Sequence, residues 1–301
     1  MLYHFKHATA LTFHEINLVW KFVENDLWDT IVPCLVTFIT AFYYCKLPLK
    51  AFPIAFLIAV IYTFLYILTF CVTNQLYSVE EDRLNKPTRP LVTGFVTLPE
   101  AKKRLLIYNI LFIVSGILFH VFLLALAWMI ITYILCKYGS AHWITKNLVC
   151  ITAGTITLLA AEWKIVGGIT GGVWQFIIIL SFWAGFGLPV QDMRDQAGDK
   201  IMGRKTLPLA IGDLKARYFL CAYYFSVSPL LFGAAILSQI DLSTLFSNTL
   251  VLAILGVQTC WHWAIGVRLL LKRTPQEDDA TYHWFVYMFI IGIPLICLFR
   301  K

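Results

Sequence analysis

The amino-acid sequence predicts an all-α, polytopic membrane protein. Of the 301 residues, 59% are hydrophobic and 14% are charged, whereas a soluble domain normally carries about 25% charged residues. The mean hydropathy of +0.75 reflects apolar runs that are long enough to cross a bilayer as helices. These runs lack the polar–apolar alternation of a transmembrane barrel. No soluble fold could hide this much apolar surface, so the runs are expected to lie in lipid.

The N-terminal segment, residues 1–27, differs from the rest because His, Lys, Glu and Asp interrupt its apolar positions. It lacks the basic start, apolar run and small-residue cleavage site of a signal peptide. We interpret it as an amphipathic interfacial helix that leads into the first span. A short mobile tail is the alternative. Residues 28–301 are then expected to form a single transmembrane domain.

Nine apolar runs predict nine spans in this domain. Their approximate ranges are 28–46, 50–73, 102–120, 121–138, 147–163, 170–190, 212–238, 246–271 and 281–299. No charge separates the third run from the fourth, so we expect a tight turn near His120.

The distribution of Lys and Arg predicts the orientation of these spans. With the N-terminus in the cytoplasm, nineteen of the 24 basic residues fall on the cytoplasmic face and five on the opposite face. The positive-inside rule favours this arrangement. It explains the net charge of +7 without a nucleic-acid partner. In a eukaryotic cell the expected membrane is the endoplasmic reticulum.

The first acidic loop, residues 74–97, follows the second span. Asn74, Ser78 and Asp82 are spaced i, i+4 and i+8, so a continuing helix would place them along one face. Lys86 and Arg89 come next, and each stands beside a proline that would stop the helix. The loop would face the cytoplasm.

The second acidic loop, residues 191–211, follows the sixth span on the same side. Asp192, Asp195 and Asp199 are spaced i, i+3 and i+7, again on one helical face. Three like charges repel, so their grouping indicates bound cations. Carboxylate oxygens suit Mg²⁺, which is usually shared with substrate phosphates, and nearby Lys and Arg would hold the outer oxygens of a diphosphate. For either loop alone, an ordinary solvated connection is the alternative.

Together the two loops resemble the motifs of the UbiA-type intramembrane prenyltransferase superfamily. That superfamily has N-x-x-x-D-x-x-x-D, running into D-R-x-N-K-P-x-R-P, after its second helix, and D-x-x-D-x-x-x-D, continuing toward K-T-L-P, after its sixth. Here the loops read NQLYSVEEDRLNKPTRP and DMRDQAGDKIMGRKTLP. The resemblance implies a helical fold with a central cavity under a cytoplasmic cap. It also implies two Mg²⁺ ions that bind and activate a prenyl diphosphate.

The resemblance further implies roles for individual residues. The catalytic and metal-site positions match Asn74, Asp82, Asp192, Asp195 and Asp199. The basic positions near the phosphates match Lys86, Arg89 and Lys200, and Lys164 resembles a further diphosphate contact. Ser78 stands where the superfamily has Asp, so one anionic ligand is missing from the first site. Glu81 or a water bridged by Ser78 would have to compensate.

The variant first motif, S-V-E-E-D-R-L-N-K-P, is similar to that of the fungal membrane-bound terpene cyclases within this superfamily. Those enzymes convert farnesyl diphosphate into a cyclic sesquiterpene without a second substrate. The resemblance therefore implies farnesyl diphosphate as the substrate and diphosphate as the leaving group.

The carbocation left by an allylic diphosphate must be kept away from water. Aromatic faces stabilise a desolvated cation by about 2 kcal/mol each, and the candidates are Tyr77, Tyr108, Phe182, Trp183 and Phe186. Packing or lipid contact is the alternative for each. Glu162, a carboxylate in or at the end of the fifth span, either removes the final proton or pairs with Lys164.

These motifs do not separate cyclisation from transfer of the prenyl group to an aromatic or other acceptor, because both reactions need the same metal and phosphate groups. Ser78 favours the cyclase. A transporter is disfavoured, because transporter sites usually lie near the membrane midplane and these acidic clusters lie at one face. A non-catalytic lipid-binding scaffold would require that metal binding is lost.

Overall fold

The computed structural model describes residues 2–238, 240 and 247–299. These ranges fold into helices, and no β-strand forms among them, which confirms the all-α prediction. The elements in chain order are α1 (Leu2–Val23), α2 (Leu27–Tyr44), α3 (Phe52–Tyr77), α4 (Val79–Asn85), α5 (Pro90–Thr93), α6 (Leu98–Leu118), α7 (Phe122–Lys137), α8 (Thr152–Val166), α9 (Gly171–Gly187), α10 (Pro189–Asp192), α11 (Gln196–Ile201), α12 (Leu207–Ile211), α13 (Asp213–Phe225), α14 (Val227–Leu237), α15 (Thr249–Leu271) and α16 (Pro275–Gly292). A π-helical segment, Ile144–Ile151, runs directly into α8.

Seven helical segments within the described ranges are long and apolar enough to cross a membrane. They are Leu27–Tyr44, Leu49–Tyr77, Ile144–Val166, Gly171–Asp192, Asp213–Leu237, Thr249–Leu271 and Pro275–Leu298. They correspond to seven of the nine expected spans. The expected start of the eighth span, residue 246, lies outside the described residues.

The third and fourth expected spans correspond to α6 and α7. Neither helix is both long enough and apolar enough to be counted as a membrane-crossing segment. Three basic residues lie in the first turns of α6, and α7 has only 16 residues, so the full count of nine is not confirmed. The expected turn near His120 is present, with His120 at a φ of 60°. A Cβ on Gly116 would come within 2.8 Å of the Ala125 Cβ, so this glycine permits the close crossing of α6 and α7.

The N-terminal segment forms α1, and part of this helix packs onto the bundle. Leu18 and Phe22 of α1 are fully buried in a cluster with Ile67 and Cys71 of α3. The Gln75 side chain adds a hydrogen bond, donated to the Phe22 carbonyl at 2.9 Å. The end of α1 is therefore tied to the end of α3, where the first motif starts.

Both acidic loops begin where a long helix breaks. Ser78, with φ −124° and ψ 23°, separates α3 from α4, and α4 ends at Asn85 because residues before a proline avoid helical conformations. In the second loop, α10 ends at Asp192 and α11 begins at Gln196. The polar rows expected along single helix faces are therefore each divided between two helices. The short helices α4 and α11 pack against each other, which brings the two loops together.

Candidate active site

Asp82 is the buried centre of the first motif, with 3% of its surface exposed. Arg89 Nη1 donates to both of its carboxylate oxygens, at 2.7 and 2.8 Å. Ser78 Oγ lies 3.1 Å from Oδ2 of Asp82 and 2.8 Å from the Asn74 carbonyl oxygen, and its single hydrogen can be donated to either acceptor. A hydroxyl donor thus stands beside Asp82 where a second carboxylate would add a negative charge.

Asp26, on the connection between α1 and α2, belongs to the same cluster. Lys86 Nζ and Arg89 Nη2 donate to its two oxygens, each at 3.0 Å. Burial by itself raises the pKa of Asp26, but the charges of Lys86 and Arg89 outweigh this effect and leave the pKa below its ordinary value. Asp26 therefore stays ionised at neutral pH and holds the two basic side chains together. Asp26 lies before the first span and outside both motifs, so the sequence alone does not identify it as part of the site.

Asp192, fully buried, is the centre of the second motif. Lys146 Nζ donates to Oδ1 at 2.6 Å, and Asn147 Nδ2 donates to Oδ2 at 3.3 Å. Both partners lie in the π-helical segment before α8. No motif spacing points to them, because they come from a different loop of the chain.

Arg204 joins the two motifs. Its Nη1 lies 2.7 Å from Oε2 of Glu81 and 3.1 Å from Oδ1 of Asp199. Burial raises the pKa of Glu81, and the charge of Arg204 opposes that rise. Next to this contact, a Cβ on Gly198 would come within 2.3 Å of the Asn85 side chain. The junction between α4 and α11 is thus closely packed as well as charge-paired.

Arg194 links the second motif to α16. It pairs with Asp279, lies 3.3 Å from Oδ1 of Asp195, and its guanidinium carbon is 4.5 Å from the ring centre of Tyr282. The Tyr282 hydroxyl in turn donates to Asp29 Oδ2 at 2.6 Å. Groups from both ends of the transmembrane domain therefore meet beside the second motif.

A central cavity of about 200 Å³ lies next to these charged groups. Its polar end is formed by Asp26, Asp29 and Gln191, and aromatic rings line its walls. The rings belong to Tyr66, Phe70, Trp128, Tyr282, Phe285 and Phe289. An outer cleft of about 660 Å³ also contains Asp26 and Asp29, together with Lys86, Arg194 and Asp195. A charged cleft and an apolar cavity that meet in this way suit a molecule with an anionic head and a hydrocarbon tail.

Of the four residues expected to contact the phosphates, two lie in the cluster around the first motif and two do not. Lys86 and Arg89 lie in the cluster described above, whereas Lys200 is exposed on α11 and forms no ion pair with a described residue. Lys164, in the last turn of α8, is not brought to the two motifs. It lies 18 residues after Lys146 in a helical segment, which is a distance of about 27 Å along a helix axis.

The five aromatic residues expected around the prenyl group do not line the central cavity. Trp183 is buried behind its wall and stacks on Phe285 at 4.8 Å. Ala184 and Leu188 of this region line the cavity. Residues two positions away along a helix point roughly 200° away from them. This explains why Phe182 and Phe186 are 41% and 39% exposed. Of the other two, Tyr77 lines a separate cleft. Tyr108 packs near the end of α1.

Glu162 is fully buried in α8. Thr63 Oγ1 donates to its Oε1 at 2.7 Å, and Oε2 has no hydrogen-bond partner among the described residues. The alternative pairing with Lys164 is not formed in the described part of the chain. Glu162 does not line the central cavity; it lies one helical turn beyond Leu158, which does.

The oxygen donors of the two motifs fit Mg²⁺, which prefers oxygen ligands. Asp199 Oδ2 and Asn147 Oδ1 are buried without a hydrogen-bond partner in the described ranges. No group of three His, Cys, Asp or Glu side chains among those residues forms a complete metal site. Mg²⁺ is usually held by one or two carboxylates, with water and substrate phosphates completing its shell, so an incomplete protein site is compatible with this ion.

The UbiA prenyltransferase family model matches residues 31–292, which is most of the chain. The chain belongs to the UbiA prenyltransferase family. Several relatives of this UbiA-family chain are similar over nearly their whole length. A somaliensene A/B synthase of Streptomyces somaliensis is 32% identical over 89% of this chain and 88% of the relative. The diterpene cyclase eriG of Hericium erinaceus is 31% identical over 94% and 89%. The polyprenyl transferase eriF of the same fungus is 31% identical over 92% of each chain.

Solved structures agree with the UbiA fold. A UbiA homologue from Archaeoglobus fulgidus, solved with GPP and Mg²⁺ bound, superposes with a TM-score of 0.66 at 18% identity, covering 93% of this chain and 99% of that one. A structure of digeranylgeranylglyceryl phosphate synthase superposes with a TM-score of 0.62 at 20% identity, covering 92% and 98%. Family, fold and apolar helices together identify the chain as an integral membrane enzyme of the UbiA superfamily.

Proposed function

We propose that this UbiA-family protein is a Mg²⁺-dependent terpene cyclase that ionises a prenyl diphosphate and cyclises the resulting carbocation. The observation that carries the proposal is the meeting of the two acidic motifs through Arg204, near an aromatic cavity. This arrangement would place a diphosphate next to the charged residues and its hydrocarbon tail among aromatic rings. The motifs would face the cytoplasm, in the endoplasmic reticulum membrane if the cell is eukaryotic.

The charged residues would bind the diphosphate and stabilise it as it leaves. Asn74, Asp82, Asp192, Asp195 and Asp199 would hold Mg²⁺, which when bound offsets the negative charge of the departing diphosphate. Lys86 and Arg194, both in the outer cleft, would donate hydrogen bonds to the outer phosphate oxygens. The allylic C–O bond breaks, and both of its electrons leave with the diphosphate.

The aromatic cavity would control what the carbocation does next. The faces of Tyr66, Trp128 and Phe285 stabilise positive charge, and the apolar walls exclude the water that would convert the cation to an alcohol. Ring closure forms a carbon–carbon bond from an alkene of the same chain. Loss of one proton to the departing diphosphate then gives a neutral cyclic hydrocarbon.

Farnesyl diphosphate remains the proposed substrate, and the product would be a sesquiterpene. This choice rests on the variant first motif, in which Ser78 stands where the family motif has Asp. Geranylgeranyl diphosphate is the main competitor, because a relative named as a diterpene cyclase aligns with 94% of the chain.

Prenyl transfer to an acceptor is the second candidate function. A relative named as a polyprenyl transferase is 31% identical over 92% of the chain, nearly the same identity as the cyclase relatives. The two reactions share the ionisation step, and they differ in whether an external nucleophile is required.

The test is to incubate membranes containing the protein with Mg²⁺ and either farnesyl or geranylgeranyl diphosphate, without acceptor, and to analyse the organic extract by gas chromatography–mass spectrometry. We expect a cyclic hydrocarbon with wild-type protein that is lost in Asp82→Ala and Asp192→Ala. Glu80→Ala is the matched control, because Glu80 is an exposed acid of the same loop that pairs only with Arg83 among the described residues. A prenylated product that forms only when an acceptor is added would instead support the transferase.

A further inference from the structure

A second cleft, of about 370 Å³, lies between the end of α3, the start of α6 and the second half of α7. It shares no lining residue with the central cavity. Thr73 and Tyr77 line it from α3, close to the first motif, so the cleft lies at the same end of the bundle as that motif. We call it the lateral cleft.

The lateral cleft contains a buried hydroxyl that needs a hydrogen-bond partner. Thr132 is 3% exposed, and its Oγ1 has no partner among the described residues. The hydroxyl of Thr73, in contrast, donates to the Thr69 carbonyl at 2.7 Å. A buried polar group left without a partner costs about 1–3 kcal/mol. The Thr132 hydroxyl therefore points to a ligand that offers an acceptor or a donor.

Positive charge lies at the rim of the lateral cleft. Lys102 lines it and forms no ion pair with any described residue, whereas Arg104, two positions later, pairs with Glu15. Lys102 and Lys103 both lie near the start of α6, where the helix dipole disfavours cations. An anion at this rim would offset both charges.

The remaining lining residues suit the interface of a membrane. Tyr77 and Tyr133 form an edge-to-face pair with ring centres 6.5 Å apart, and such rings are enriched at headgroup depth. Leu105 and Met129 provide apolar contact. The half-buried Asn109 carboxamide lines the same cleft and provides a further hydrogen-bond donor.

We propose that the lateral cleft binds the headgroup of an anionic phospholipid from the leaflet that contains the two motifs. Lys102 would contact the phosphate, Thr132 and Asn109 would donate to the ester carbonyls, and Leu105 and Met129 would contact the start of the acyl chains. This site depends on the protein lying in a membrane, but not on the proposed cyclase reaction. Lipid in the cleft would stabilise the end of α3, from which the first motif departs.

The test is native mass spectrometry of the delipidated, detergent-solubilised protein, titrated with phosphatidylglycerol or with phosphatidylcholine of the same acyl chains. We expect tighter binding of phosphatidylglycerol to wild-type protein. Lys102→Ala should weaken that binding about fivefold. Asn109→Leu should also weaken it, without any change of net charge, while Lys103→Ala, which removes a charge outside the cleft lining, should weaken it less.

Thermal unfolding provides the second measurement. Phosphatidylglycerol should raise the Tm of wild-type protein and of Lys103→Ala more than that of Lys102→Ala or Asn109→Leu. Free glycerol 3-phosphate should leave the Tm unchanged, because it lacks the acyl chains. Equal binding of the two lipids, or equal losses for Lys102→Ala and Lys103→Ala with no effect of Asn109→Leu, would overturn the proposal. Neither outcome bears on the cyclase assay.

Discussion

Glu81 of the first acidic loop and Arg204 of the second form an ion pair, with Oε2 and Nη1 2.7 Å apart. The two residues are more than a hundred positions apart in the chain, and this contact makes the loops one surface. Most of each side chain is shielded from solvent, so removing either partner would leave the other as a poorly solvated charge. The charge of Arg204 is shared with Asp199, a proposed metal ligand. The pair therefore connects the architecture of the cap to the proposed chemistry.

Packing between α4 and α11 gives the first prediction. Gly198→Ala would force the new methyl group against the Asn85 side chain, and overpacking of this kind costs about 1–3 kcal/mol. We expect a lower Tm and a severalfold loss of diphosphate release, because the Asn85 side chain must turn aside and loosen the contact between the two loops. Gly256→Ala is the control, since its methyl group would meet nothing within 4 Å. Equal activity of the two variants would show that the junction does not matter.

Lys146 gives the second prediction. Its removal in Lys146→Met would leave Asp192 as a buried charge without its ammonium partner, which costs about 3–5 kcal/mol. Thermal unfolding should detect this loss, and Lys215→Met, at an exposed lysine without an ion pair among the described residues, should not show it. The double variant Lys146→Met/Asp192→Asn should regain stability but not activity. A double variant as unstable as the single one would contradict the pairing.

Ser78 gives the third prediction, about the departure from the family motif. Ser78→Asp would place a second carboxylate next to Asp82, where Ser78 Oγ now lies 3.1 Å from Oδ2. Like charges at this distance repel, so the variant should have a lower Tm than wild-type protein in EDTA. Added Mg²⁺ should restore the Tm, because the cation neutralises the pair. Ser78→Ala loses only hydrogen bonds, and its Tm deficit should be independent of Mg²⁺. A deficit in Ser78→Asp that Mg²⁺ does not reduce would contradict a metal at this site.

Glu162 gives the fourth prediction. Glu162→Gln keeps an acceptor for the Thr63 hydroxyl and removes a carboxylate that has no basic partner among the described residues, so its stability should equal or exceed that of wild-type protein. The terpene products should also be unchanged, since Glu162 does not line the cavity. Gas chromatography–mass spectrometry of both extracts tests this. A new product or an accumulated alcohol in the variant would restore Glu162 as a candidate proton acceptor.

The sequence is sufficient to predict the fold class and the two loops, because both depend on local patterns. Long apolar runs need no tertiary information, and the spacing of Asp192, Asp195 and Asp199 is visible in eight letters of sequence. The turn at His120 also follows from local constraints, since two apolar helices with no charge between them must reverse direction.

The partners of the acidic residues could not be predicted in the same way. Asp26 and Lys146 reach Arg89 and Asp192 across 63 and 46 positions, and no spacing rule encodes contacts of that length. The side of α9 that faces the cavity was equally hidden, because the helix is apolar all round. The placement of Phe182 and Phe186 depends instead on which neighbours pack against α9.

The most direct test of the central claim is the initial rate of Mg²⁺-dependent diphosphate release from farnesyl diphosphate, without acceptor, in Asp82→Asn, Asp199→Asn and the double variant. If the two loops act as one site, each single variant should lose most of the activity, and the double variant should be little worse than either. Losses that multiply in the double variant, or a wild-type protein that releases no diphosphate without an acceptor, would contradict the account.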